Sequence, residues 1–285
     1  MNKCELCKNI GRIITKSLLY EVTAGIKPGL VDRFNSGSHK DMDIFTFIDS
    51  ACAIGRYFED FAFIGYEWDD LSSDCLLSIR PLGIECEKTM FNATNGINTH
   101  KGAIFSMSVI SACAAYVYKK HSKIDIDTLC ESCSLILQNI KNDFQNLENK
   151  ENLTHGEKLY LKYGTLGIRG EALSGFSSVR KYAIPEIVKL DNPNYKKEDV
   201  LVNTLLSLIS NVEDTNILAR SNKKTMNYAT DTAKKCLDLG GAFTEEGKKS
   251  ILEADNLFRE LNISHGGCAD LLAVSIAIYF LTNLQ

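Results

Sequence analysis

Apolar side chains recur at every third or fourth position along most of the chain, the spacing that places them on one face of an α-helix. Polar connectors separate these periodic stretches, and only four prolines occur, which we expect at helix ends or between helices. The predicted helices span residues 4–23, 44–60, 71–88, 101–119, 125–147, 198–212, 226–239, 245–260 and 267–282. The pattern therefore predicts an all-α protein.

The last periodic stretch, CADLLAVSIAIYFL, is apolar on nearly all sides and too short to cross a bilayer. We expect it to form the central buried helix. No repeat or linker divides the chain, and 285 residues can still share one core. We therefore expect a single compact all-helical domain over residues 1–285.

Composition and charge narrow the class of protein. Apolar residues make up 45% and charged residues 24%, which is ordinary globular usage. The net charge of −4 comes without a Lys/Arg block, so we expect no nucleic-acid partner. The first residues lack the features of a signal peptide, and the apolar runs are too short to span a membrane. We expect a cytoplasmic protein without a membrane partner.

Two cysteine pairs, Cys4/Cys7 and Cys130/Cys133, have the spacing of zinc ligands. Each pair also lies at positions i and i+3 of a helical pattern, on a face that is simply apolar. Most of the ten cysteines are better explained as reduced, buried side chains. We therefore do not expect a zinc site.

Polar connectors between the helices carry the candidate chemistry. Each contains Asp, Asn, His, Lys or Arg, the groups that bind phosphates, hydroxyls and divalent metals, and all but residues 212–221 also contain glycine. These connectors are residues 25–43, 95–102, 163–180, 212–221 and 262–270. Their shared composition indicates that they converge on one site.

The first connector, KPGLVDRFNSGSHKDMD, crowds cations and carboxylates into a glycine-containing segment. Mixed charge of this density suits a polyphosphate with Mg²⁺, because cations bind the phosphate oxygens and carboxylates bind the metal. The alternative is a solvated loop that caps the next helix. Neither GxxxxGK[ST] nor GxGxxG occurs, so no standard phosphate motif decides between them.

The second connector contains NTHKG, in which Asn98 or Thr99 can cap the helix that follows. His100 and Lys101 then lie in its first turn, where a cation opposes the helix dipole by about 0.3 kcal/mol or more. Helix stability does not explain them, whereas an anionic ligand at the free N–H groups does. For His100 alone, a structural role is the alternative.

The third connector, IRGEALSGF, places Arg169 two residues before Glu171. An arginine fork suits phosphate, and the glutamate can orient it or hold a metal-bound water. The alternative is a local surface ion pair, which contributes little to stability.

The last two connectors supply further oxygen ligands. Asp214 and Thr215 precede an apolar turn, so Asp214 is either a helix cap or, with Glu213 and Asn216, a candidate Mg²⁺ ligand. Asp270 stands at the N-terminal end of the final helix, where the dipole favours a carboxylate. The preceding SHGG contains glycines that let the backbone approach a ligand.

Taken in order, EVTAGIKPGLVDRFNSGSHKDMD, GINTHKGAIFS, GIRGEALSGFSSVR, VEDTNILAR and GGCADLLA resemble the triphosphoribosyl-dephospho-coenzyme A synthases. The resemblance spans nearly the whole chain. It implies that ATP and 3′-dephospho-CoA give 2′-(5″-triphosphoribosyl)-3′-dephospho-CoA and adenine. That product is the precursor of the acyl carrier prosthetic group of citrate lyase or of malonate decarboxylase, and passes to a holo-acyl-carrier-protein transferase. The chain ends soon after GGCADLLA, so we expect no fused second transferase domain.

The resemblance also implies roles for residues of the five connectors. We expect Mg²⁺ to bridge the triphosphate of ATP to carboxylates. The candidate catalytic residues are Asp32, His39, His100, Asp214 and Asp270, and the candidate metal ligands are Asp32, Asp41, Asp214 and Asp270. The candidate ATP-binding residues are Lys27, Gly29, Arg33, Asn35, Asn98, Lys101, Gly102, Arg169, Gly170, Glu171, Thr215, Asn216, Gly266 and Gly267. Either His39 or His100 would protonate or orient the leaving adenine.

The last motif departs from the family pattern at His265 and Cys268, to which no family role is carried over. The α-ribosyl linkage of the product, against the β linkage of ATP, implies one inverting displacement without a glycosyl-enzyme intermediate. Two other functions stay open: a Mg²⁺-dependent N-ribosyl hydrolase acting on a nucleotide, and a nucleotide sensor without catalysis.

Overall fold

The structure is a computed structural model that describes residues 1–214, 217 and 221–284, apart from the side chains of Asn149 and His155. Within these ranges the chain forms α-helices, short 3-10 segments and one π segment, and no strand. The α-helices are α1 (Lys3–Thr23), α2 (Ile44–Glu67), α3 (Cys75–Ala93), α4 (Lys101–His121), α5 (Ile126–Ile136), α6 (His155–Tyr163), α7 (Ile168–Leu173), α8 (Ile184–Ile187), α9 (Lys197–Ile209), α10 (Lys223–Asp238), α11 (Glu245–Glu260) and α12 (Gly266–Thr282). The prediction of an all-α fold is confirmed.

The first two helices begin at side-chain caps. Asn2 accepts a hydrogen bond from the Glu5 N–H at the start of α1. Asp43 and Thr46 form a reciprocal capping box at the start of α2. In the first connector, Asp43 is therefore the residue that caps the next helix.

The helices α4 and α12, which contain the largest numbers of buried residues, lie at the centre of the fold. Residues of α12 such as Leu272, Val274 and Ile278 are fully buried, as predicted for this stretch. α12 packs against α1, α4 and α9, and most buried apolar side chains of the described residues join one continuous core. The helices α4 and α12 therefore form the centre against which α1, α2, α3, α5 and α9 pack.

The helix α4 is longer than the sequence analysis allowed. Its 21 residues reach a mean hydropathy of 1.2 over an 18-residue window, which is long and apolar enough to cross a membrane by length and composition. The expectation that every apolar run is too short was therefore wrong for this segment. However, 72% of that window is buried inside the protein, so its apolar character is that of a core helix.

Several boundaries differ from the predicted ones. The stretch 125–147 is not one helix: α5 ends at Ile136, and 3-10 segments follow, separated near Asn146, whose φ of 56° an α-helix cannot contain. Connector 163–180 contains the short helix α7, which the glycine-rich sequence concealed. Pro81 lies inside α3 rather than at its end. The side chain of Pro81 is on the exposed face of that helix.

Candidate active site

A cavity of about 1040 Å³ opens beside the N-terminal ends of α4 and α12. Residues from all five polar connectors line it, together with the inner side of α1 and α6. The prediction that the connectors converge on one site is therefore confirmed. The volume is at the upper end of the range for small-molecule pockets, so it suits a large ligand or a pair of ligands.

Asp270 fills the N-terminal end of α4. Its carboxylate accepts a hydrogen bond from the Ala103 N–H, and a Cβ at Gly102 would lie 2.0 Å from Asp270 Oδ2. Only glycine fits at position 102. Burial, followed by the nearby charges of Glu21 and Asp214, raises the pKa of Asp270 well above its usual range. The group that occupies this helix end is thus a carboxyl side chain of the protein itself.

Asp214 has the corresponding place at the N-terminal end of α12. It is 2% exposed, and its Oδ2 accepts a hydrogen bond of 2.9 Å from the Cys268 N–H. A Cβ at Gly267 would lie 3.1 Å from the same carboxylate, so glycine allows the close approach. Asp214 therefore caps α12, which follows it by more than fifty residues, as well as lining the cavity. Thr215 and Asn216 lie outside the described residues.

Glu21 is a cavity residue that the sequence analysis missed. It lies on the buried face of α1 with Ile14 and Leu18, and its carboxylate is ion-paired with the Lys27 ammonium. The same ammonium donates to the Glu21 carbonyl oxygen at 2.7 Å. An acidic residue at an apolar position of a helix pattern was the available signal, because a buried carboxylate needs a partner.

Lys27 does not line the cavity. Its side chain is 1% exposed, and its ammonium binds Glu21 rather than the open space. The structure therefore places the charge of Lys27 behind the cavity wall, where it supports a carboxylate.

His100 is buried and neutral. Its Nδ1 lies 2.7 Å from the Ser50 hydroxyl oxygen, which itself accepts a hydrogen bond from the Thr99 hydroxyl. In the tautomer in which Ser50 donates its proton to Nδ1, Nε2 carries the ring hydrogen. Nε2 has no partner among the described residues, and burial followed by the charge of Lys27 lowers the pKa of His100 to about 3. His100 lines the cavity as a hydrogen-bond donor without positive charge.

His39 lies at another part of the lining. Its Nε2 is 3.0 Å from the Ser264 hydroxyl, and its Nδ1 is 3.7 Å from the carboxylate of Asp41. Asp41 is exposed and does not line the cavity. Thus His39 joins the first connector to the segment before α12.

The cationic side chains of the lining differ in their partners. Lys101 is ion-paired with Glu87 at 3.0 Å, and the Asn98 side chain accepts from the Lys101 N–H at 3.3 Å. Arg169 lies over the rings of Phe105 and Phe144, 5.7 and 5.3 Å from their centroids. No carboxylate of the described residues is ion-paired with Arg169, which leaves its guanidinium ready for an anionic ligand.

Glu171 is not the partner of Arg169. Its carboxylate accepts from the Ser178 hydroxyl at 2.6 Å and from the Ser178 N–H at 3.3 Å. Gly170 and Glu171 both line the cavity, as do Asn98, Gly102, Gly266 and Gly267. The local Arg169–Glu171 ion pair, offered as the alternative, does not form.

The other candidates of the first connector face the protein. Asp32 accepts from the N–H groups of Lys27 and Phe34, at 2.8 and 2.7 Å, and from a third N–H of the same loop. Arg33 is ion-paired with Glu198 on α9. The backbone of Gly29 and the side chain of Asn35 bind Asp255 on α11. None of Asp32, Arg33, Gly29 and Asn35 lines the cavity.

Comparison with known proteins decides the family. Residues 7–285 match a family model described as ATP:dephospho-CoA triphosphoribosyl transferase. The chain belongs to this family. The resemblance found in the sequence is thereby confirmed, and the chain is a transferase that moves a triphosphoribosyl group from ATP to dephospho-CoA.

Similar proteins of this transferase family cover nearly the whole chain. A protein of Lactiplantibacillus plantarum, described as a probable 2-(5″-triphosphoribosyl)-3′-dephosphocoenzyme-A synthase, is 38% identical over 94% of this chain and 95% of its own length. A 2-(5″-triphosphoribosyl)-3′-dephosphocoenzyme-A synthase of Escherichia fergusonii is 35% identical over 94% of this chain and 89% of its own length.

The donors for a metal in this triphosphoribosyl transferase are few. Among the described residues, no group of three or more His, Cys, Asp or Glu side chains is arranged to hold a metal ion. Of the four predicted ligands, only Asp214 and Asp270 line the cavity. Burial, then the charge of Glu21 and then that of Asp214 raise the pKa of Asp270, and Mg²⁺ commonly takes one or two carboxylates with substrate phosphates. The pair therefore fits Mg²⁺ that arrives with a nucleotide.

In the positions that they occupy, the two cysteine pairs are poor zinc ligands. Cys7, Cys130 and Cys133 are fully buried, and burial raises the pKa of the Cys7 thiol to about 12. A thiolate is the form that binds zinc, and here it is disfavoured.

Proposed function

We propose that the cavity is where this chain transfers the 5-triphosphoribosyl group of ATP to the 2′-hydroxyl of 3′-dephospho-CoA, with release of adenine. The observation that supports this most is that Glu21, Asp214 and Asp270 line one cavity together with Arg169, whose guanidinium has no ion pair among the described residues. A displacement at a ribose carbon needs both carboxylates and a clamp for the phosphates.

In this proposal Asp270 is the general base. A carboxyl group whose pKa is raised accepts a proton more readily than an ordinary one, and burial beside Glu21 and Asp214 provides that shift. Asp270 takes the proton of the 2′-hydroxyl as the oxygen attacks C1 of the ATP ribose. The negative charges of Glu21 and Asp214 stabilise the positive charge that develops on the sugar.

The phosphates survive the reaction and must be held without cleavage. Arg169 binds them through its guanidinium, and Lys101 joins it by exchanging Glu87 for a phosphate oxygen. Mg²⁺ that arrives with ATP would be held by Asp214 and would neutralise phosphate charge, which leaves Asp270 to act as the base. A single inverting displacement follows, without a covalent bond to the protein.

His100 orients the leaving adenine rather than protonating it. Because its pKa is about 3, the ring is neutral at physiological pH. Its Nε2, which has no partner among the described residues, donates a hydrogen bond to a ring nitrogen of adenine and so stabilises the departing base. The base takes up a proton from water as it leaves, and the proton on Asp270 returns to solvent.

We further propose that the whole chain, residues 1–285, acts as one domain in the cytoplasm. Its product would pass to a holo-acyl-carrier-protein transferase that serves citrate lyase or malonate decarboxylase.

The test is incubation with Mg²⁺ and ATP, with and without 3′-dephospho-CoA, followed by chromatography of adenine and of the triphosphoribosyl product. We expect adenine only when the acceptor is present, in a one-to-one ratio with product. Adenine release without acceptor would identify a hydrolase instead. Binding of ATP without any adenine would identify a nucleotide sensor.

A further inference from the structure

Among the described side chains, one wall of the cavity carries no charged group. The lining residues between positions 144 and 168 are apolar, hydroxyl-bearing or glycine residues, among them Phe144, Leu159 and Leu166. The charged lining residues lie elsewhere in the sequence, including Glu21, Lys101, Asp214 and Asp270. The two parts of the cavity therefore suit different kinds of chemical group.

The apolar side chains of this uncharged wall are well packed, and unfilled space lies beside them. Phe144 is 6% exposed and Leu159 is 8% exposed, and the Phe144 ring packs on Tyr160 with centroids 4.6 Å apart. In contrast, a Cβ added at Gly156 would meet no atom within 4 Å. The glycine thus borders free space beside a packed apolar surface.

Polar groups on this wall can donate hydrogen bonds without carrying charge. The Thr165 hydroxyl oxygen accepts from the Gly167 N–H at 3.3 Å, so its own proton is available for a ligand. Arg169 closes the wall on one side, stacked on Phe105 and Phe144. In the proposed function Arg169 binds the triphosphate of ATP, so the diphosphate of the acceptor would lie beside that triphosphate at the edge of the wall and continue into an uncharged group along residues 144–168.

Only one part of the two substrates combines an anionic group with a long uncharged chain. The pantetheine arm of dephospho-CoA is a long uncharged chain of amides and aliphatic carbons attached to a diphosphate. Adenine is also uncharged, but it is a short, flat ring and would leave most of an extended wall uncovered.

We propose that the wall formed by residues 144–168 binds the pantetheine arm of the acceptor and so selects dephospho-CoA over shorter nucleotides. This inference rests on the proposed function of the cavity. Apolar and amide contacts along the wall then contribute to acceptor affinity and leave ATP affinity unaffected.

The test fills the free space beside Gly156. Gly156 lies in the first turn of α6 without a positive φ, so larger residues are compatible with the backbone. In the series Gly156→Ala, Gly156→Leu and Gly156→Phe, we expect the KM for dephospho-CoA to rise with side-chain size, by about tenfold or more for phenylalanine. The KM for ATP should stay within about twofold, because the donor does not touch the wall.

The matched control is Gly83→Phe on α3, where a Cβ also meets nothing within 4 Å and which does not line the cavity. Thermal unfolding of each variant checks folding, and Gly156→Ala keeps the series usable if the phenylalanine variant does not fold. Calorimetric titration with dephospho-CoA measures the affinity for the acceptor without turnover. If the unmodified protein released no adenine in response to dephospho-CoA, the proposed function itself would be refuted.

A rise in the KM for ATP alone would overturn the inference, since the wall would then hold part of the donor. Unchanged constants for both substrates in a folded Gly156→Phe protein would overturn it as well.

Discussion

The first and third connectors have similar compositions and opposite uses. Both are rich in glycine and charge. The charged groups of residues 27–33, however, bind partners that belong to the chain itself. Lys27 binds Glu21, Asp32 binds backbone N–H groups and Arg33 binds Glu198. In the third connector, Arg169 stacks on aromatic rings at the cavity and has no ion pair with a described residue. A charged side chain that has a partner within the folded chain stabilises its loop, whereas one without such a partner is available to a ligand.

The site therefore has two parts: residues that hold cavity side chains in place, which we call the support, and residues that face the ligand, which we call the contact surface. The first connector supports Glu21 from behind and positions His39, whereas the third presents a cation to the cavity. Substitutions in the two connectors should therefore change different quantities.

Lys27→Met should have the largest effect on stability. It leaves Glu21 buried without its counter-charge, which costs about 3–5 kcal/mol of unfolding free energy. Urea denaturation measures this loss, and Glu21→Gln combined with Lys27→Met should restore part of it. Normal stability together with weakened ATP binding would place Lys27 on the contact surface instead.

Arg169→Met should weaken ATP binding by about 10- to 100-fold, the loss of charge-assisted hydrogen bonds to phosphate. The matched control is Arg33→Met, which removes a cation of the first connector that binds Glu198 on the protein surface. Calorimetry with ATP and Mg²⁺ should show unchanged affinity for the control. Equal losses in both variants would erase the distinction between the connectors.

His100 should make stability depend on pH in a defined direction. Its pKa is about 3 in the folded protein and near 6.5 when unfolded, so between these values the unfolded chain binds a proton that the folded chain does not. The stability is present above pH 6.5 and is lost as the pH falls. His100→Gln should reduce this slope by up to about 1.4 kcal/mol per pH unit.

His265 is also buried with a pKa of about 3, so part of the pH dependence should remain in the His100 variant. Denaturation curves between pH 7 and pH 5 measure the slope. An unchanged slope in His100→Gln would contradict the assignment of a neutral, buried ring.

Lys101→Ala should have the smallest effect. The Lys101 side chain is 44% exposed and its ammonium is already paired with Glu87, so it contributes little net affinity, and the apparent KM for ATP should rise about two- to fivefold. Steady-state adenine release measures this. A loss as large as that of Arg169→Met would mean that Lys101 carries the phosphate clamp.

Local patterns predicted much of the structure. The periodicity located the long helices and the central α12, and the shared composition of the connectors predicted one common cavity. Roles within the first connector were not predictable from the chain alone, because Arg33 and Asn35 bind residues more than 160 positions away. Glu21 was missed because it lies within a helix rather than in a connector.

The helix ends show the same limit. The sequence indicated an anion site at the start of α4, and the folded chain places Asp270 there from another helix. Asp214 was expected to cap the turn beside it and caps α12 instead. Helix N-termini are local features, but which group satisfies them depends on tertiary packing.

The most direct measurement is the single-turnover rate of adenine formation in Asp270→Asn and Asp32→Asn, each saturated with ATP and dephospho-CoA. Asp270→Asn should be as stable as the unmodified protein, because it removes a charge repelled by Glu21 and Asp214, and should lose about 10²–10⁴-fold in rate. Asp32→Asn should lose about 1–3 kcal/mol of stability and keep most of its rate per folded molecule. A near-normal rate in folded Asp270→Asn would contradict its role as the base in this cavity.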